Sequence, residues 1–195
     1  MSAPKTKEPL RDAEARYSLI RGEVYRIAAA ACLWEMQQKV LFTSITEETA
    51  RRADKWVYPP ERSHHQPGWG WLKELKKFKR RPRRIEAAIW SLDDDGGQVL
   101  CGLVLGRVSN SRIIASITYL EGNPEQPNPL AGVVAQLAIR YLQIHATALH
   151  CTVLGINQPR PDLVEFYREL GFSRKIEKKG KVFRLEREVA IELGS

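Results

Sequence analysis

The 195-residue sequence has few cysteines and no long apolar run, and each absence excludes a class of protein. No stretch reaches the roughly 18 consecutive apolar residues that span a bilayer, so we expect no membrane association. The segment 1–16 is polar and charged and therefore lacks the apolar region of a secretion signal. Three cysteines without close spacing (Cys32, Cys101 and Cys151) argue against a disulfide framework and a CxxC metal site. We predict reduced, buried thiols in a cytoplasmic protein.

The composition is that of a globular domain. Hydrophobic residues make up 43% of the chain and charged residues 28%, and the length suffices for one domain with a substantial core. No internal repeat divides the chain. We predict a single domain, in which residues 1–60 form a helical segment packed on a core formed by residues 61–195.

Periodicity and helix-breaking residues predict a mixed α/β order. Helices are expected over residues 12–40, 45–56 (with a capping box at Ser44 and Glu47) and 71–79. Three strands at 85–92, 98–108 and 113–120 are separated by turn residues and predict an antiparallel meander. A helix starting at Leu130, a strand at 149–156, a helix at 160–170 and a hairpin of 172–176 with 182–188 follow. Because the strands 149–156 and 172–176 bracket a helix, we expect them to be parallel.

The most specific motif is LVEFYRELGF at residues 163–172. It resembles the FYxxLGF-type segment near the end of the GNAT-fold acyltransferases, which move an acyl group from coenzyme A to an amine. The likeness extends to the order of elements from about residue 85 onward, over half of the chain. The resemblance implies an α/β fold with a mixed, mostly antiparallel central sheet, splayed parallel strands and flanking helices.

The same resemblance implies an acyl-CoA-dependent N-acyltransferase that uses acetyl-CoA, or another acyl-CoA, by direct attack in a ternary complex. Strands that part beside a helix start expose backbone groups that can hydrogen-bond pantetheine, and the helix N-terminus can bind a pyrophosphate. The implied cofactor-binding residues are Tyr119, Leu120, Gln126, Asn128, Leu130, Ala131, Asn157, Arg160 and Phe166.

The sequence departs from the family at the pyrophosphate loop. The family motif Q/RxxGxG/A aligns with residues 125–130, which contain no glycine, and Gly132 comes two positions late. Pro127 and Pro129 lack an N–H donor. The asparagine expected seven residues before the motif tyrosine is Arg160, so either Asn157 takes its place or Arg160 meets a phosphate. A second hypothesis therefore stays open, in which a catalytically degenerate GNAT-fold module binds nucleic acid or a protein partner.

Two residues are candidates for the acid–base chemistry. Tyr167 occupies the family's tyrosine position, where a phenol can protonate a departing thiolate, although an aromatic residue there is also compatible with core packing. Glu121, at the end of the third strand, is a candidate general base or a solvated turn carboxylate, and Glu86 on the first strand is a further carboxylate.

Seven of the eight net positive charges come from eight cations and one acid between positions 73 and 84. Three roles are compatible with this density: binding of nucleic acid, with Trp69, Trp71 and Phe78 available for base stacking; contact with the phosphates of coenzyme A; and a solvated surface. No sequence-specific DNA-binding motif accompanies the segment. The candidate nucleic-acid-binding residues are Lys73, Lys76, Lys77, Lys79, Arg80, Arg81, Arg83 and Arg84.

His64 and His65 are adjacent and lack a third ligand at regular spacing, so we predict no metal site.

Overall fold

A computed structural model describes residues 9–190 of the chain. Its helices are α1 (Leu10–Met36), α2 (Glu47–Ala53), α3 (Trp71–Lys79), α4 (Val134–Ala148) and α5 (Val164–Glu169), with 3₁₀ turns at Pro60–His65 and Pro161–Leu163. Its strands are β1 (Val40–Thr43), β2 (Arg84–Leu92), β3 (Gln98–Val108), β4 (Ile114–Gly122), β5 (Val153–Asn157), β6 (Arg174–Lys178) and β7 (Lys181–Glu188). Within residues 9–190, none of these helices combines the length and the hydropathy needed to cross a bilayer.

The seven strands form one sheet in the order β1-β2-β3-β4-β5-β7-β6. Every neighbouring pair is antiparallel except β4 and β5, which are parallel. This mixed, mostly antiparallel sheet with flanking helices confirms the predicted fold class, and β2–β3–β4 is the predicted meander.

The two strands on either side of α5 are parallel, as predicted, but they do not pair with each other. β5 and β6 run in the same direction, but β7 lies between them and is antiparallel to both. The side chains explain this order: Leu185 of β7 is fully buried, whereas four of the five residues of β6 are exposed. A strand with exposed charged residues suits the edge of a sheet, and β7 suits its interior.

Helices cover the two faces of the sheet and form two cores. One core packs α1, α4 and α5 on the sheet, and the other packs α2 and α3 on the opposite face. β3 contributes to both cores, because its consecutive residues Leu103 and Val104 are fully buried on opposite faces of the sheet. The three cysteines are free and buried, which confirms that part of their prediction.

The first helix ends earlier than predicted, and a strand follows it. Gln37 has a left-handed backbone (φ 55°), and the N–H of Gln38 donates to the carbonyl of Cys32 at 3.2 Å, which closes α1. The next residues, VLFT, are mostly β-branched or aromatic and pair with β2 as an edge strand that buries Phe42. Residues 1–60, which were predicted to be a helical segment, therefore also contribute a strand to the sheet.

The cap of the second helix also differs from the prediction. Thr46 and Thr49 exchange hydrogen bonds, since the Thr49 N–H donates to Thr46 Oγ1 at 3.1 Å and the Thr46 N–H donates to Thr49 Oγ1 at 2.8 Å. The helix that they cap is Glu47–Ala53, so Ser44 and Glu47 do not form the capping box.

Candidate functional site

The parallel strands β4 and β5 pair over only part of their length. Ile114 to Ile117 pair with Val153 to Ile156, whereas β4 continues to Gly122 alongside β3 alone. Asn157, at the end of β5, bridges the point of separation, because its Nδ2 donates to Ser116 Oγ at 2.9 Å and to Thr118 Oγ1 at 3.2 Å. Beyond it, no strand of the described chain pairs with that edge of β4, and we call this separation of β4 from β5 along residues 118–122 the fork.

A bulge in β4 decides which side chains face α3. Tyr119 pairs with Leu105 and Ile117 pairs with Gly106, so Thr118 has no partner on β3. The extra residue reverses the alternation of side chains, and Ser116, Tyr119 and Glu121 therefore project to the same face. Tyr119 Oη donates to Glu74 Oε2 of α3 at 2.9 Å, which directs this predicted cofactor-binding residue toward the helix.

Glu121 is buried in β4, so the alternative of a solvated turn carboxylate is wrong. Its side chain accepts one hydrogen bond from Tyr58 Oη and one from Trp71 Nε1, each at 2.5 Å. Burial raises the pKa of Glu121 above its ordinary value, opposed by these two hydrogen bonds and assisted by the charge of Asp54. Such a carboxylate is more basic than an exposed one and is held in a fixed orientation.

A cavity of about 300 Å³ lies beside Glu121. Its lining includes three tryptophans and a tyrosine (Trp56, Trp69, Trp71 and Tyr58). The indole N–H groups of Trp56 and Trp69 are buried without a hydrogen-bond partner in the described chain. Sequence reasoning missed Trp56 and Tyr58 as site residues, and the available signal was the density of aromatic residues between positions 56 and 71.

Tyr167 lies on α5, which follows the end of β5 at which the fork opens. Its ring makes edge contacts with Phe166 and Phe172, with centroids 5.3 and 6.3 Å away. The side chain is buried, yet within residues 9–190 its hydroxyl forms no hydrogen bond with the protein. Burial raises the pKa of Tyr167 to about 12, so the phenol is protonated at neutral pH. The ring therefore packs in the first core, and its hydroxyl is not engaged by the described residues.

The loop before α4 is braced by its own side chains. Asn128 is buried, its Nδ2 donates to the carbonyl of Asn123 at 2.8 Å, and its Oδ1 accepts from the Leu130 N–H at 3.0 Å. Leu130 is also buried, in the first core. These two predicted cofactor-binding residues therefore fix the shape of the loop, while Gln126 and Ala131 are exposed on it.

The helix after this loop begins at Val134, later than predicted at Leu130. Gly132, two positions ahead of the helix, has a left-handed φ of +84°, is exposed, and has no atom within 4 Å of a Cβ at its position. The N–H groups of a first helical turn have no intrahelical acceptor and bind anions. The helix start and the glycine both come later than predicted, and Gly132 lies just ahead of the helix, with Pro127 and Pro129 upstream.

The first turn of α4 approaches the sheet over a glycine of β3. A Cβ at Gly102 would lie 2.5 Å from Val134 Cγ1 and 3.1 Å from the Glu121 carbonyl oxygen. We expect Gly102→Ala to displace this turn and to lower the free energy of unfolding by about 1–3 kcal/mol, measured by urea denaturation. Gly22→Ala in α1 is the control, because nothing lies within 4 Å of a Cβ there. Equal stability of the two variants would contradict the close approach.

The remaining predicted cofactor-binding residues lie around the fork. Leu120 packs against the first core, and Phe166 does so from α5. Arg160 forms an ion pair with Asp162 at 2.8 Å in the connection from β5 to α5. Asn157 is thus the one of the two candidate polar residues that reaches β4.

The basic segment, residues 73–84, is partly buried. Arg84 is buried and pairs with Glu86 at 2.8 Å and with Glu14 at 2.7 Å, so its charge is unavailable at the surface, and Glu86 is engaged in the same network. Lys77 is exposed but pairs with Glu74. The other predicted cations are exposed or half-buried: Lys73, Lys76, Lys79, Arg80, Arg81 and Arg83.

The aromatic residues beside this segment do not offer rings for stacking. Trp71 and Phe78 are buried in the second core at 1% and 6% exposure, and the prediction that they stack on bases is wrong. Trp69 is half-buried and packs on Tyr119.

His64 and His65 lie together in the 3₁₀ turn Pro60–His65. The described part of the chain contains no group of three or more metal-ligating side chains.

No family model matches the sequence, and no curated protein matches it. Solved structures do match its fold. Ard1 from Thermoplasma volcanium is 11% identical with a TM-score of 0.55, over 78% of this chain and 99% of that one. An acetyltransferase from Thermus thermophilus is 15% identical with a TM-score of 0.54, over 76% and 96%. The ribosomal-protein-S18-alanine N-acetyltransferase from Escherichia coli is 8% identical with a TM-score of 0.51, over 80% and 97%. The chain therefore has the fold of the GNAT N-acetyltransferases.

Proposed function

We propose that the protein is an acetyl-CoA-dependent N-acetyltransferase. The observation that carries this proposal is the fork between β4 and β5, which opens beside a buried, hydrogen-bonded carboxylate, Glu121. The structural neighbours named as acetyltransferases support the same reaction class.

The residues at the fork fit this cofactor. The unpaired edge of β4 beyond Ile117 offers backbone groups to the amides of pantetheine. Gly132 and the first turn of α4 offer open space and N–H donors to the pyrophosphate. When bound, acetyl-CoA supplies an acetyl thioester, whose C–S bond breaks as the C–N bond to the acceptor amine forms.

Glu121 acts as the general base in this proposal. Its carboxylate takes a proton from the acceptor's ammonium group, directly or through one water, from the side of the aromatic cavity, and the neutral amine that this leaves attacks the thioester. The hydrogen bonds from Tyr58 and Trp71 orient the carboxylate, and its raised pKa brings it closer to that of an amine.

Tyr167 acts as the general acid that protonates the leaving sulfur. Its phenol is neutral below a pKa of about 12 and its hydroxyl has no competing partner in the described chain. The desolvation that raises the pKa of the phenol also raises that of a buried thiol, which keeps proton transfer from oxygen to sulfur accessible.

Direct transfer is favoured over an acyl-enzyme. Burial raises the pKa of each thiol, that of Cys32 to about 11, and the pKa values of Cys101 and Cys151 are also raised. A buried thiol with a raised pKa is a poor nucleophile at neutral pH.

The test of cofactor binding is a melting-temperature titration with acetyl-CoA. Acetyl-CoA at about 100 times its Kd is expected to add about 2.7 kcal/mol of stability, whereas acetate at the same concentration adds none. An unchanged melting temperature at millimolar acetyl-CoA would contradict the proposed acetyltransferase activity. It would favour the alternative, a binding module whose exposed basic segment takes a polyanion.

A further inference from the structure

An arginine-rich groove lies on the part of the sheet next to the C-terminal end of α3. Its cavity volume is about 600 Å³. The loop after α3 forms one wall, the end of β3 and the β3–β4 turn form another, and β7 closes the third side. The cations that line it are Arg80, Arg81, Arg83, Arg107 and Arg184.

Most of these guanidinium groups lack a neutralising partner. In residues 9–190, Arg80, Arg81, Arg83 and Arg107 form no ion pair with a carboxylate, whereas Arg184 pairs with Glu186 at 2.5 Å. Among the described residues, the side chain of Arg83 donates only to the carbonyl of Asn110. Like charges collected in one concave surface raise its potential, so the groove attracts anions.

The groove leads to the fork. Ser116 and Asn157 line it, and Asn157 Nδ2 also donates to Thr118, the first β4 residue beyond the paired segment. Ser116 and Glu121 project from the same face of β4, about 15 Å apart at the rise of a β-strand. A ligand in the groove therefore lies at the base of the fork, on the face of β4 from which Glu121 also projects.

The positive surface continues beyond the groove along α3. Lys73, Lys76 and Arg80 follow each other at helical spacing and are exposed, so they line one face of the helix that ends at the groove. None of these three pairs with a carboxylate in the described chain. This extended surface holds more cations than the phosphates of one nucleotide can neutralise.

We infer that the groove and this face of α3 bind the phosphate groups of a polynucleotide that carries the acceptor amine, an inference that rests on the proposed acetyltransferase. Guanidinium groups bind phosphate in a bidentate geometry, and a phosphodiester chain presents one negative charge per nucleotide along its length, which suits a row of cations that extends over the groove and α3. Because Trp71 and Phe78 are buried, binding is through the backbone rather than by base stacking, and is independent of sequence.

The test is fluorescence anisotropy of a labelled single-stranded oligonucleotide, without acetyl-CoA. Removing three phosphate contacts with Arg80→Gln/Arg81→Gln/Arg107→Gln is expected to weaken binding at least about tenfold at low salt and to reduce the slope of log K against log salt by about 2. The control Arg11→Gln/Arg52→Gln/Lys55→Gln removes the same charge from exposed positions outside the groove and is expected to stay within about twofold of the wild type.

Equal weakening of the two triple variants would overturn the inference, because net charge alone would then explain binding. Displacement of the oligonucleotide by poly-L-glutamate as readily as by unlabelled oligonucleotide would overturn the assignment to phosphate. Loss of oligonucleotide binding in the groove variant with an unchanged acetyl-CoA melting shift supports it. If acetyl-CoA does not raise the melting temperature but the oligonucleotide still binds, only the proposed acetyltransferase activity is overturned. If acetyl-CoA raises the melting temperature but the wild-type protein does not bind the oligonucleotide, only the inference about the groove is overturned.

Discussion

Glu121→Gln is expected to lower kcat/KM by about 100- to 10,000-fold, the usual contribution of a general base. The amide has nearly the same shape and still accepts a hydrogen bond from Tyr58 or Trp71, but it cannot take the proton of the amine. The measurement is release of free coenzyme A thiol in the presence of an amine that the wild-type protein acetylates. An unchanged acetyl-CoA melting shift shows that the loss is in proton transfer.

The pH profile separates this role from a structural one. Only the carboxylate form of Glu121 is a base, so the rate falls as pH drops through its pKa, which burial raises above the ordinary value. Tyr58→Phe removes a hydrogen bond that lowers this pKa, and the acidic limb should therefore move to higher pH. Full activity of Glu121→Gln, or an acidic limb that stays in place in Tyr58→Phe, would contradict the assignment.

Local signals explain which elements could be predicted. The helix over residues 71–79 has the predicted bounds because its charged and apolar residues alternate at helical spacing and Pro82 follows it. The meander could be predicted because turn residues separate three apolar segments. Tyr167 and Glu121 could be selected because one lies in a motif and the other at the end of a strand.

Features that depend on contacts distant in sequence could not be predicted. The bulge at Thr118 turns Glu121 toward α3. It is a register shift between β4 and β3, so it depends on the pairing of two strands rather than on the local sequence. The late start of α4 depends on Asn128 and Leu130, which are held by the sheet and the core. Tyr58 reaches Glu121, and Trp56 lines the cavity beside it, because α2 and α3 pack together, and no local pattern indicates that packing.

Tyr167→Phe is expected to lower kcat by about 100-fold or more while leaving acetyl-CoA binding unchanged, because it removes the proton donor to sulfur and keeps the ring. The ring contacts with Phe166 and Phe172 persist in the variant. Since the hydroxyl has no hydrogen-bond partner in residues 9–190, its loss leaves no buried group unpaired, and the melting temperature should stay the same.

Tyr141→Phe is the matched control for this substitution. Tyr141 Oη donates to the carbonyl of Glu86 at 2.8 Å in the first core, away from the fork. Its removal should lower stability by about 1 kcal/mol and leave kcat unchanged. The two substitutions are therefore expected to have opposite effects: loss of the Tyr141 hydroxyl lowers stability but not kcat, and loss of the Tyr167 hydroxyl lowers kcat but not stability. A Tyr167→Phe variant that keeps its full kcat would assign Tyr167 to packing alone and leave the departing thiolate without a proton donor from this chain.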